Sequence, residues 1–71
     1  MFNTYLISYD PDKRGKEHDD LYKYIKSFSH WMRILESTWL IRSNKEYETI
    51  SNEIKSTVHP EDRIFISQIN I

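Results

Sequence analysis

Tyr5-Leu6-Ile7-Ser8-Tyr9-Asp10-Pro11-Asp12 sets the architecture of this chain. Apolar and aromatic residues run through Tyr9 and then stop at two carboxylates around a proline. Proline has no amide hydrogen for a sheet ladder and restricts the residue before it, so a first strand over about residues 3 to 9 ends at Asp10-Pro11. Gly15, the only glycine, closes the loop that follows. Leu21, Ile25 and Phe28, with Tyr24, carry the three- and four-residue spacing of an amphipathic helix over about residues 16 to 28. Asp19 and Asp20 fall in its first turn, where the helix dipole favours negative charge.

Farther along, residues 31 to 43 are rich in aromatic and branched side chains and predict strand, interrupted by a tight turn at Glu36-Ser37-Thr38. Ser43-Asn44-Lys45-Glu46 has the serine and glutamate of a capping box, and Tyr47, Ile50 and Ile54 mark the buried stripe of a second helix to about Thr57. Pro60 and Asp62 predict a turn, and residues 63 to 71 a last strand. Strand, helix, two strands, helix, strand is the order of an α+β, ferredoxin-like βαββαβ layer: an antiparallel sheet with both helices on one face. One such domain accounts for all of residues 1–71.

Composition narrows the function classes. The chain has 71 residues, no cysteine and three scattered histidines, so neither disulfides nor a zinc site is expected to reinforce so small a core. Oligomerisation is the remaining means. Both side-chain sets of the first strand are substantially apolar, where one-sided burial would give cleaner alternation. The sheet is therefore expected to pack against a second copy in a homodimer, with Tyr5, Ile7, Tyr9 and Trp39 at the interface. Ten basic residues against eleven acidic ones lack the excess that non-specific nucleic-acid binders gather. The missing cysteines fit a reducing cytoplasm, and no segment reads as a secretory signal or a membrane span.

Four pieces of the chain together resemble the small CRISPR-associated adaptation subunit and its broader superfamily, which includes the virulence-associated D endoribonuclease toxins and many short phage and plasmid proteins. They are residues 5 to 10, a first strand with its terminal aspartate; the helix over 16 to 28; Arg33-Ile34-Leu35-Glu36-Ser37-Thr38-Trp39-Leu40 around a serine; and Glu61-Asp62-Arg63-Ile64-Phe65-Ile66. The resemblance implies a dimeric ferredoxin-like protein in which Asp10, near the dimer axis, holds a divalent metal for phosphodiester cleavage, with Ser37 beside it. A carboxylate pair with few protein ligands suits Mg2+, or Mn2+, which would keep most of its waters and orient one against a phosphate. The chain departs from the adaptation subunits in stopping at Ile71 and in lacking a basic balance.

Each candidate has a plain structural reading beside the functional one. Asp10 before Pro11 is also an ordinary turn residue. Lys13, Arg14 and Lys16 read as a phosphate-contact loop or as a solvated one; Arg33 and Arg42, with Trp31 and Trp39, read as a stacking surface for nucleic acid or as core and rim. Two function classes follow. The favoured one is a small non-catalytic interaction protein of phage or mobile-element type, a homodimer that binds and modulates a host or defence protein. The alternative is a metal-dependent endonuclease or nucleic-acid-binding protein using Asp10 at the dimer axis.

Overall fold

In the computed structural model, residues 1–10, 19–59 and 62–69 are described. Strand β1 (Asn3–Tyr9) leads to helix α1 (Asp19–Lys26), then strands β2 (His30–Leu35) and β3 (Thr38–Ser43), helix α2 (Tyr47–Lys55) and strand β4 (Ile64–Ile69). The four strands form one sheet in the order β2-β3-β1-β4, and every neighbouring pair is antiparallel. This is the ferredoxin-like layout expected of the sequence, with two split β-α-β units interleaved so that β1 and β3 occupy the centre.

Register fixes which residues share a face. Tyr5, Ile7 and Tyr9 of β1 stand opposite Ile41 and Trp39 of β3 on one side, and opposite Ile66 and Ile64 of β4 on the other. Facing residues in an antiparallel pair point the same way, so these side chains form one layer. Leu21 and Ile25 of α1 and Ile50 and Ile54 of α2, each a pair at four-residue spacing, cover that layer, and the nine-residue core is made of them with Tyr5, Ile7, Tyr9, Trp39 and Ile41.

The buried phenols are satisfied. Tyr5 Oη donates to the Lys45 carbonyl at 2.8 Å, tying the central strand to the approach of α2. Tyr9 Oη accepts from Trp39 Nε1 at 3.1 Å.

This packing reverses the two faces of the sheet relative to the expected dimer. Tyr5, Ile7, Tyr9 and Trp39 are buried inside the single chain beneath the helices and are not available to a second copy. The free face is the other one, carrying Leu6, Leu40, Met32 and Phe65. Tyrosine reads as surface-tolerant, but its ring fills a core well once the hydroxyl finds an acceptor.

The capping box is not formed. Ser43 is the buried last residue of β3, and its Oγ accepts the Lys45 N–H at 3.0 Å in a local turn. Glu46 takes the N-cap position of α2 with no side-chain cap bond. Of the expected α2 stripe, Ile50 and Ile54 are buried, whereas Tyr47 is exposed and donates from Oη to the Ile66 carbonyl at 3.3 Å. The helix ends at Lys55, two residues before the expected boundary, and Ser56 closes it with its N–H on the Asn52 carbonyl. Pro60 lies outside the described residues, but Asp62 does turn the chain: its N–H donates to the His59 carbonyl, and its Oδ2 accepts the His59 N–H, both at 3.0 Å.

Candidate functional site

Asp10 sits one residue past the end of β1, exposed, with its N–H on the Arg63 carbonyl at 3.2 Å. That bond extends the β1–β4 ladder by one step and uses only the backbone. A small cleft of about 210 Å³ opens beside it, lined by Ser8, Tyr9, Asp10, Arg63, Ile64 and Phe65. Among the described residues Asp10 is the only carboxylate in that lining, and no cluster of three or more histidine, aspartate or glutamate side chains occurs among them. The described residues thus offer Mg2+ or Mn2+ one anionic ligand at this cleft, fewer than a protein-held hard cation usually takes. Lys13, Arg14 and Lys16 lie outside the described residues.

The other candidate basic residues do not share a surface. Arg33 lies on the helix side of β2, its guanidinium 4.8 Å from the Trp39 ring centre and 5.4 Å from that of Tyr22. Its Nη2 and Nε both donate to the Glu36 carbonyl, at 2.6 and 3.2 Å, which locks the β2–β3 turn. Arg33 is thus committed to stacking and to a backbone acceptor. Arg42 lies on the opposite face, across from His30 and Thr4, and 5.9 Å over the Phe2 ring. Ser37 is in the turn, where its carbonyl accepts the Tyr9 N–H at 3.1 Å.

Around Arg33 the aromatic rings are continuous. Tyr22 lies 5.6 Å from Trp39 and 6.1 Å from Tyr9, and Trp31 lies 5.8 Å from Trp39 with Lys26 above its ring. Burial, followed by a hydrogen bond with Tyr22, pushes the Tyr9 phenol up to about 12, against the opposing pull of the Trp39 N–H. A second group lies at α2: Glu53 accepts from Tyr24 Oη at 2.7 Å and from Lys45 Nζ at 2.9 Å. The Lys45 bond first and the Tyr24 bond second hold the Glu53 carboxyl below the usual carboxylate range, while burial and then the Glu53 bond raise the Tyr24 phenol. Both phenols are held neutral at physiological pH, so these networks are structural rather than acid-base devices.

What the molecule leaves uncovered is more distinctive. All six residues of β2, His30-Trp31-Met32-Arg33-Ile34-Leu35, are exposed, although four of them are large and apolar. The sheet face away from the helices carries Phe2, Met32, Leu35 and Phe65, each more than half exposed, around half-buried Leu6 and Leu40. Part of that face is a shallow hollow of about 760 Å³, bordered by Phe2, Thr4, His30, Met32, Leu40 and Arg42. An apolar surface of this extent, rimmed by polar groups, is characteristic of macromolecular contact. The signal for it was present in the sequence as two adjacent apolar pairs, Trp31-Met32 and Ile34-Leu35, which break the alternation of a one-sided strand.

No helix among the described residues is long and apolar enough to cross a membrane. No protein-family model matches the chain, and no curated protein matches its sequence.

Proposed function

We propose that this chain is a small non-catalytic interaction protein that works as a homodimer and binds a second protein. One observation carries the reading: among the described residues nothing covers the apolar open face of the sheet or the edge strand β2, every residue of which is exposed. Surfaces of that kind stay in solution when a partner occupies them. Two such surfaces on one module allow one contact with its own copy and another with a target. The resemblance to short phage and plasmid proteins suggests the target class, a host or defence protein.

The nuclease reading needs Asp10 to act, and among the described residues its cleft holds that one exposed carboxylate. A gel assay with RNA, single-stranded DNA and double-stranded DNA, with and without Mg2+, tests this directly. The expected result is neither cleavage nor retention in any lane. Cleavage that disappears in Asp10→Ala overturns the proposal in favour of the nuclease. Light scattering after size exclusion tests the other half, with a dimer expected at micromolar concentration and a clean monomer refuting it.

A further inference from the structure

The homodimer proposed above can form face to face or edge to edge, and the residues of β2 discriminate between the two. Among the described residues β2 lies at one end of the sheet, so one of its sides presents N–H and C=O groups with no strand beside them. Natural edges are blunted by charge, proline, bulges or brevity; here the one charge, Arg33, is drawn back over Trp39 and Tyr22, the bulge lies past it towards Leu35, and His30-Trp31-Met32 carries none of these. Half of the eight large apolar side chains exposed among the described residues belong to this one strand. The opposite edge, β4, is mostly half-buried by comparison.

We propose that β2 pairs antiparallel with β2 of a second copy across a two-fold axis at Met32, joining two four-stranded sheets into one of eight strands. Charge and the bulge argue against axes farther along β2, and the Trp31–Arg33 pairs that only a Met32 axis makes select it over one at Trp31. Side chains facing each other across an antiparallel pair lie on the same face, so a two-fold axis along the sheet normal passes through a residue that faces its own copy. An axis at Arg33 sets two guanidinium groups against each other. An axis at Ile34 or Leu35 runs into the irregularity between Arg33 and Leu35, where the pairing register with β3 shifts.

With Met32 on the axis, Trp31 of each copy faces Arg33 of the other, twice. Both residues already lie on the helix side, where the Arg33 guanidinium sits 4.8 Å from the Trp39 ring centre. The partner's Trp31 would extend that stack at both ends of the pairing, a self-complementary cation and ring arrangement. The open faces of the two copies then merge into one wider apolar surface, free for the target protein.

The chain has no cysteine, so one introduced thiol reports its own symmetry mate. Facing Cβ atoms in an antiparallel pair lie about 4.5–5.5 Å apart, close to disulfide reach. Met32→Cys is therefore expected to cross-link into a covalent dimer on mild oxidation or with a short bismaleimide, while Phe65→Cys, on the far edge, stays monomeric on a non-reducing gel. Two charge variants separate edge from face. Trp31→Lys places a cation against the partner's Arg33 and should weaken the dimer about tenfold or more relative to Trp31→Glu, which places an anion there. Lys26 and Arg33 of the same chain also sense that charge, so urea titrations of both variants at concentrations where the dimer is dissociated separate an effect within the chain from one on pairing. Equal dissociation constants for the pair, or a wild-type dimer whose Met32→Cys variant does not cross-link, overturn the edge assignment and leave the homodimer standing. A wild-type monomer overturns both.

Discussion

Replacing Tyr9 by phenylalanine tests the central hydrogen bond of the core with almost no change in shape. The ring stays, and one oxygen leaves. That oxygen is the acceptor for Trp39 Nε1 at 3.1 Å, and Trp39 is 1% exposed, so no solvent replaces it. Leaving a buried donor unmade costs about 1–3 kcal/mol, more than the net worth of an ordinary hydrogen bond. Two further bonds go with it: that to the Glu36 carbonyl is 3.4 Å long and the carbonyl keeps Arg33 as a donor, and that with Tyr22 leaves a half-buried hydroxyl that water can reach, so both add little. A loss of about 2 kcal/mol is expected, which for a domain of this size lowers Tm by roughly 10 °C.

The same variant has a signature in pH. Burial raises the Tyr9 phenol from 10 to about 12, so folding favours its neutral form. Its contribution is complete below pH 10, where both states are protonated, and is lost as the pH rises from 10 through about 12. Urea titrations followed by tryptophan fluorescence at pH 7 and across pH 10 to 12 measure both effects. Tyr9→Phe should start less stable and then fall less steeply than the wild type. A variant within 0.5 kcal/mol of wild type at pH 7, about the spread of an inconsequential surface change, would falsify the assignment of that hydroxyl as Trp39's essential acceptor.

Other outcomes follow from the same packing. Ile7→Ala removes a fully buried side chain between β3 and β4 and should cost about 2–5 kcal/mol in the same titration. Arg33→Lys keeps the charge but loses the planar fork on the Glu36 carbonyl and the stack on Trp39; a loss of about 1 kcal/mol is expected, and equal midpoints would show the clamp to be dispensable. The Glu53 carboxyl, depressed by Lys45 and then Tyr24, contributes fully above its unfolded value and loses that contribution as pH falls through the lowered folded value. Glu53→Gln should flatten the acid limb of a stability profile run from pH 6 down to pH 2, at a slope that wild type keeps.

Much of this architecture was legible in local chemistry. Strand β1 ends at Tyr9 because Asp10-Pro11 halts it, and the β2–β3 turn falls at Glu36-Ser37, inside the polar interruption. What escaped were features that depend on three dimensions. Thr4 and Ser8 interleave the open face of β1 with hydroxyls, whereas Tyr5, Ile7 and Tyr9 form its buried face only because Lys45 and Trp39 bring partners to the two phenols. Ser43 and Glu46 have capping-box spacing, yet Ser43 is held at the end of a central strand, where its hydroxyl turns to the nearer Lys45 N–H. Arg33 reads as part of a stacking surface for nucleic acid until β3 and α1 bring Trp39 and Tyr22 to its guanidinium within the chain. The separation of Arg33 from Arg42 is a matter of strand parity, legible once each is assigned to its register.

The edge pairing also bears on the aspartate at the end of β1. β1 is the third strand counted from the β2 edge, and neighbouring strands lie about 4.8 Å apart. A two-fold axis midway between paired β2 strands therefore leaves the two copies of β1 about 24 Å from each other. Asp10, one residue beyond β1, is exposed, and its cleft is bordered by β4, on the side away from the axis. Two carboxylates so far apart cannot ligate one ion, whose bonds to oxygen are about 2.0–2.6 Å. Edge pairing and a shared metal at Asp10 are thus mutually exclusive. In an edge-paired dimer, Asp10→Ala should leave calorimetric titration with Mn2+ unchanged and alter stability by no more than about 0.5 kcal/mol, because the Arg63 contact runs through the backbone N–H. Stoichiometric Mn2+ binding of one ion per dimer, abolished by Asp10→Ala, would instead require the protomers to meet near the end of β1, and Met32→Cys would then fail to cross-link.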